Sequence, residues 1–328
     1  MKKPLIRHGR YYNTLSDSIL VRLKDVLRVA GRVSVQKLRG ERSVEKLLMI
    51  EEVITQWVMA KEVTQPTVQP VVTWLGHATF LIQIAGVTII TDPVFFNLSG
   101  MMKRLMPLPM RLEELPPVDI VLLSHNHRDH LDEASMNYLK RYQPVVCVPL
   151  GDESWFLTRG FNHVHGYEWW EQRTIKDVTL TFLPASHWSG RGVRDVNRSL
   201  WGSWMIQAGG FTLYFAGDTA YAEHFKAIGQ QFPSIDVALL PIGPEEPRFL
   251  MKDSHTGALE AIQAFIDLGA HQFVPMHWGT FAFGLDTFTL PIERLRAFWV
   301  EHQDRLVGKI LLLPKCGQVM QFTFEREQ

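Results

Sequence analysis

A continuous apolar run, Ile120–Leu123, ends at Ser124 and opens directly onto His125-Asn126-His127-Arg128-Asp129-His130. An unbroken apolar run of this length fits a strand buried on both faces, inside a layered fold rather than at its surface. The loop that leaves such a strand is where functional side chains collect. Residues two apart in an extended loop can point the same way, so His125 and His127 can grip one ion. Asp129 and His130, on the following turn, can face a second. Imidazole and carboxylate suit zinc, and also iron or manganese. A lone histidine is more often a satisfied core or surface residue. Four ligand-type residues in six positions after a buried strand argue against the bland alternative, a solvated polar loop.

Three further residues repeat the arrangement singly. His187 follows the strand-like Thr179–Leu183, Asp218 follows Thr212–Phe215, and His277 follows Val274–Met276. A binuclear site must draw on several strand ends, and these are the candidates. Around them, β-prone runs such as Val71–Trp74, Phe80–Ile84, Val87–Thr91, Val145–Val148, Trp204–Gln207 and Val237–Leu240 mix with helical stretches such as Gly257–Leu268. That mixture predicts an α/β domain with sheets at its centre and helices outside. Upstream the texture differs. Ile19, Leu23, Val26, Leu27 and Ala30 recur at helical spacing between a Ser16 cap and a Gly31 stop, and a second helix spans about Val44–Val58. A proline-punctuated connector runs from Thr64 to Pro70. The division expected is a helical extension and linker over 1–70 and a hydrolase domain over 71–328.

Charge sharpens that division. From Met1 to Lys46 there are twelve Lys/Arg against four Asp/Glu, a surplus of eight, while the whole chain is neutral. A basic extension can meet anions or dock on an acidic body; composition leaves both open. Cys147 and Cys316 lie far apart in no ligand spacing, which argues against a disulfide scaffold. No segment approaches the ~20 apolar residues of a membrane span. A cytoplasmic protein is expected, with peripheral membrane contact through the basic helices.

The motifs together resemble the metallo-β-lactamase superfamily, and within it the branch of the N-acyl-phosphatidylethanolamine-hydrolysing phospholipases D and their bacterial relatives. The segments that carry the resemblance are Thr73-Trp74-Leu75-Gly76-His77-Ala78-Thr79, Thr91-Asp92-Pro93, Ser124 through Asp132, and His187-Trp188-Ser189-Gly190-Arg191. They continue with Gly202-Ser203-Trp204, Gly217-Asp218-Thr219, Leu240-Pro241-Ile242-Gly243, Glu246-Pro247-Arg248 and Met276 through Phe281. The match covers Val71 to Phe281. Two positions depart from the phospholipase pattern: Glu245 stands where it has a tyrosine, and Ala220 where a glycine is usual.

The resemblance implies an αββα sandwich holding two zinc ions. His125, His127 and His187 would hold one, Asp129, His130 and His277 the other, and Asp218 would bridge them. Asp92 would orient a ligand histidine from behind. Asp129 and Asp218 would position the attacking water, and His255 would protonate the leaving group. Guanidinium pairs with phosphate oxygens in a two-pronged way, which makes Arg191 and Arg248 candidates to grip phosphate, with surface or structural salt bridges as the alternative. Water activated by two metals needs no Ser or Cys nucleophile, and no Gly-x-Ser-x-Gly elbow is present. The first expectation is a phosphodiesterase of phospholipase D type acting on a lipid or smaller glycerophosphodiester. The alternative is a lactonase or esterase of the ascorbate-6-phosphate lactonase type. A nuclease ranks lower, since no nucleic-acid module is recognisable, as does a metal-binding protein without catalysis. Relatives imply a homo-oligomer.

Overall fold

The computed structural model describes residues 3–13, 51–59, 69–98 and 102–323. The chain begins with a hairpin, β1 (Leu5–Arg7) against β2 (Arg10–Tyr12). Its two-residue turn is His8-Gly9, both at positive φ (50° and 66°), as a turn matched to the right-handed strand twist requires. The sequence reading placed no strand before Val71, so this hairpin corrects it. The expected helix over Ser16–Gly31 lies outside the described residues. Of the second, residues 51–56 are helical. Behind them Trp57 meets Trp278 edge-on at 4.9 Å, and Val58 bridges to Cys316.

Two seven-stranded sheets make the body. The first contains β3 (Val71–Trp74), β4 (Phe80–Ile84), β5 (Val87–Thr91), β6 (Ile120–Leu122), β7 (Val145–Pro149) and β8 (Val164–Tyr167), with β16 (Val319–Gln321) added beside β3. The second contains β9 (Gln172–Ile175), β10 (Val178–Leu183), β11 (Ser203–Ala208), β12 (Phe211–Phe215), β13 (Val237–Pro241), β14 (Gln272–Met276) and β15 (Ile310–Leu311), in chain order across the sheet. Each sheet starts as an antiparallel meander and ends as parallel strands. Strand direction then places the site. β3, β5 and β6 run the same way and finish at one end of their sheet, ahead of His77, Asp92 and His125. β10, β12, β13 and β14 likewise finish together, ahead of His187, Asp218, the 242–256 loop and His277.

Alternation inside β6 explains why its sequence is apolar throughout. Ile120 and Leu122 enter the core between the sheets, with Phe182, Trp204, Phe215 and Leu239 of the other sheet. Val121 and Leu123 face outward into a second cluster, with Met136 and Leu139 of the helix Glu133–Leu139 and Phe156 of the helix Glu153–Leu157. All four side chains from Ile120 to Leu123 are fully buried. Burying each is worth about 1.5–3 kcal/mol. Trp204 also joins the sheets by donating from Nε1 to Leu123 O at 2.9 Å.

β8 and β9 were not legible in sequence. They are edge strands, Val-His-Gly-Tyr and Gln-Arg-Thr-Ile, half exposed along their length, so neither shows a continuous or cleanly alternating apolar pattern. The helix Ala258–Leu268 sits where expected. No helix among the described residues is long and apolar enough to cross a membrane. Cys147 and Cys316 are both free and buried, and burial pushes each thiol up to about 12.

Candidate metal centre

The strand ends of the two sheets meet at Ser124. Its carbonyl accepts from Gly202 N at 3.0 Å, and Gly217 packs so closely that a Cβ there would lie 2.4 Å from Ser124 Cβ. Gly217 also sits at φ +58°, so two independent reasons exclude a side chain before Asp218. This contact brings the His125–His130 loop of one sheet against His187, Asp218 and His277 of the other.

The sequence-predicted residues converge in two groups. In the first, His127 Nδ1 lies 2.8 Å from His125 Nε2 and 3.2 Å from His187 Nε2. In the second, Asp129 Oδ2 lies 3.5 Å from His130 Nε2 and 3.6 Å from His277 Nε2. Asp218 stands between them. Its Oδ1 is 3.1 Å from His277 Nε2, while its Oδ2 is 3.2 Å from His130 Nε2, 3.8 Å from His187 Nε2 and 4.0 Å from His125 Nε2. His255 joins from the 242–256 loop, with Nδ1 3.6 Å from Asp218 Oδ2.

Hydrogen bonds behind the imidazoles decide which nitrogen faces inward. Asp92 is fully buried and can only accept when ionised, so His130 donates to it from Nδ1 at 2.7 Å and turns Nε2 to the centre. Ser124 donates its hydroxyl to the same Asp92 oxygen, which leaves Ser124 Oγ to accept from His125 Nδ1 at 2.9 Å. His187 donates from Nδ1 to Ser254 O at 2.8 Å. In all three the remaining Nε2 lone pair points into the cluster.

One residue of the centre was quoted in the sequence motifs but given no role. His77 follows β3 at φ 54°, and its Nε2 lies 3.1 Å from Asp129 Oδ2. Its ring packs against that of His277, tilted by 42° with centroids 3.9 Å apart. Its signals were a place after a strand end, the same one that flagged His187, and a position inside the Thr73–Thr79 segment.

The two arginines part company. Arg191 donates from Nη1 to Asn126 O and Leu131 O, so it braces the ligand loop instead of reaching out as a phosphate grip. Arg248 donates from Nη2 to His255 O and Glu260, while its Nε and Nη1 are buried with no hydrogen-bond partner.

Electrostatics separates the imidazoles as well. Burial holds His125 and His187 well below the usual imidazole range, and takes His127 and His255 down to about 4 and His77 to about 3. These rings are neutral at pH 7, the form that ligates. Burial also lowers His130 and His277, but the carboxylates of Asp218 and Asp129 outweigh it. His277 rises to about 9 and His130 well above its ordinary value. Burial raises Asp129 and Asp218, yet His130 and its neighbours hold both well below the carboxylate range. The protons on His130 and His277 are the ones a cation would displace.

Whether the residues suit metal ions can be tested on their unpaired atoms. His130 Nε2, His277 Nε2, Asp218 Oδ1 and His255 Nδ1 are buried and make no hydrogen bond. Buried polar atoms are ordinarily paired, and four orphans facing one another are what a cation satisfies. The atoms of His125, His127 and His187 lie within 4.8 Å of one another, as do those of His77, Asp129, His130 and His277. The two clusters, with Asp218 between them, are compatible with a binuclear site of nitrogen and oxygen ligands.

Comparison with known proteins agrees. A family model for the beta-lactamase superfamily domain matches residues 87–278. The chain is 36% identical over 251 residues to N-acyl-phosphatidylethanolamine-hydrolyzing phospholipase D 1 of Caenorhabditis elegans, covering 71% of this chain and 70% of that one. It is also 36% identical over 247 residues to the mitochondrial enzyme of that name from Saccharomyces cerevisiae, of which it spans 53%. Among solved structures, a metallo hydrolase from the archaeon Ignicoccus hospitalis superposes with a TM-score of 0.61 at 22% identity, covering 78% of this chain and all of that one. The chain is thus a metal-dependent hydrolase belonging to the metallo-β-lactamase superfamily, with relatives among the N-acyl-phosphatidylethanolamine-hydrolysing phospholipases D.

Proposed function

We propose that the chain is a zinc-dependent phosphodiesterase of phospholipase D type, acting on a lipid or smaller glycerophosphodiester. The observation that carries this reading is the placement of Asp218 between the two ligand groups, beside an arginine with unpaired donors. His125, His127 and His187 would hold one zinc, Asp129, His130 and His277 the other, and Asp218 would touch both. When bound, a zinc pair lowers the pKa of a shared water and polarises the oxygen under attack.

The chain's own groups supply the rest. Asp129 and Asp218, both ionised, orient the attacking water by accepting its hydrogen bonds. Arg248, anchored through Nη2 on Glu260 and on the His255 carbonyl, would set its positive charge beside His255 and attract the substrate's anionic oxygens. His255 is unprotonated at neutral pH because burial holds it at about 4. Its part is therefore to orient the leaving oxygen by a hydrogen bond, and not to deliver a stored proton.

The test is elemental analysis of protein purified without added metal, together with hydrolysis of bis-p-nitrophenyl phosphate. About two zinc per chain and cleavage abolished by EDTA are expected. Two metals with turnover of lactones and none of phosphodiesters would overturn the phosphorus chemistry. No metal after reconstitution would overturn the centre.

A further inference from the structure

Asn126 lies between two of the proposed ligands, yet its side chain turns away from them into a buried polar network. Its Nδ2 donates to Asp152 Oδ1 at 2.8 Å, its Oδ1 accepts from Gly190 N at 2.7 Å, and its backbone carbonyl accepts from Arg191. Asp152 Oδ1 also accepts from Ser199 Oγ at 2.7 Å. Asn126, Asp152 and Ser199 are each about 95% buried. The partners of Asn126 belong to different layers. Asp152 stands just before the helix that follows β7 in the first sheet, while Gly190 lies three residues beyond His187, after β10 of the second. Through one amide, the loop bearing His125 and His127 is thus tied to the loop bearing His187.

His127 makes this tie consequential. His125, His130 and His187 are each oriented by a hydrogen bond from the ring nitrogen that faces away from the cluster. His127 has none: its outward Nε2 is buried without a hydrogen-bond partner, and Trp188 packs against the ring at 4.0 Å. With nothing behind the imidazole, its position depends on the peptide that carries it. Asn126 holds that peptide. The second ligand group is oriented by bonds in which Asn126 takes no part, His130 by Asp92 and the His277 backbone by His77 O at 3.1 Å.

We propose that the Asn126–Asp152 pair is a positioning device for one ion only, setting the spacing of His125 and His127 against His187 while leaving the Asp129–His130–His277 group unaffected. This rests on the reading of the centre as a two-ion site. The test uses the full chain and zinc, with the number of ions and their dissociation constants read by titration against a competing chelator. Wild type is expected to hold two. Asn126→Asp keeps the shape and, in titrations run above pH 8, sets a carboxylate against the Asp152 carboxylate, which burial pushes up to about 7. It should weaken one ion about 10–100-fold, leave about one zinc per chain after dialysis, and keep the other ion within about threefold of wild type. The double variant Asn126→Asp with Asp152→Asn restores a carboxylate–amide pair and should recover the second ion. Should Asn126→Asp fail to fold, Ser199→Ala removes one bond to Asp152 and should show a smaller loss confined to the same ion. Wild-type affinities at both ions, or equal weakening of both, would overturn the proposal. A wild-type chain that takes up no zinc would instead overturn the two-ion reading beneath it.

Discussion

Replacing Asp92 by asparagine exchanges a single oxygen for an NH2, and the structure says which ion should suffer more: the one His130 would hold, which Asp92 supports directly, where it reaches His125 only through Ser124. Asp92 Oδ2 accepts from His130 Nδ1 at 2.7 Å and from the Ser124 hydroxyl, and Oδ1 accepts from Ser124 N at 2.7 Å. A carboxamide offers one acceptor oxygen in place of two. If its nitrogen takes the Oδ1 position it meets a backbone N–H that cannot turn away. If it takes the Oδ2 position it meets His130 Nδ1–H, and relief requires moving that proton to Nε2. That nitrogen lies 3.2 Å from Asp218 Oδ2 and is the one that faces the centre. Loss of such a supporting partner weakens metal binding about 10–100-fold. That corresponds to about 1.4–2.7 kcal/mol. Conformational stability should change less, because burial raises the Asp92 carboxyl and a neutral side chain escapes that penalty, offsetting part of the lost hydrogen bonding. Zinc titration against a competing chelator, beside denaturant unfolding in EDTA, checks both halves. Two wild-type dissociation constants in Asp92→Asn, or a loss confined to the His125–His127–His187 ion, would refute the reasoning.

Asp218→Ala should lose both ions and all hydrolysis with the fold retained by circular dichroism, because Asp218 stands between the groups, with Oδ2 near His130 and His187 and Oδ1 near His277; a fully active variant would overturn the assignment. Arg248→Ala should raise KM for a phosphodiester about tenfold or more with zinc content unchanged. Arg191→Ala should instead lower stability by about 1–3 kcal/mol in urea, since it frees two carbonyls of the ligand loop. Zinc uptake should weaken about a hundredfold for each pH unit below about 9, because the ion must displace the protons that both His130 and His277 hold there; equal dissociation constants at pH 6, 7 and 8 would refute this. In EDTA the sign reverses for folding. A histidine raised from 6.5 to about 9 stabilises fully below its unfolded value, and that contribution fades as pH climbs through 9.

Local pattern determined a good deal of this protein. The β6 run and the six residues after it announced a buried strand and a metal-type loop, because double-sided burial and ligand chemistry are both written in consecutive residues. His187, Asp218 and His277 were recognisable for the same reason, each a lone ligand-type residue closing an apolar strand. Their division into two ligand groups was expected from family resemblance, not from spacing. The edge strands β8 and β9 escaped notice, since half-exposed strands impose no strong pattern. Only the tertiary structure decided which strand ends would meet. It drew His77 into the centre, turned Arg191 back onto the ligand loop, left Arg248 with unpaired donors, and linked Asn126 to Gly190 across the two sheets. Those outcomes depend on strand direction, sheet packing and the Ser124–Gly217 contact, which join residues too far apart in the chain for any sequence period to relate them.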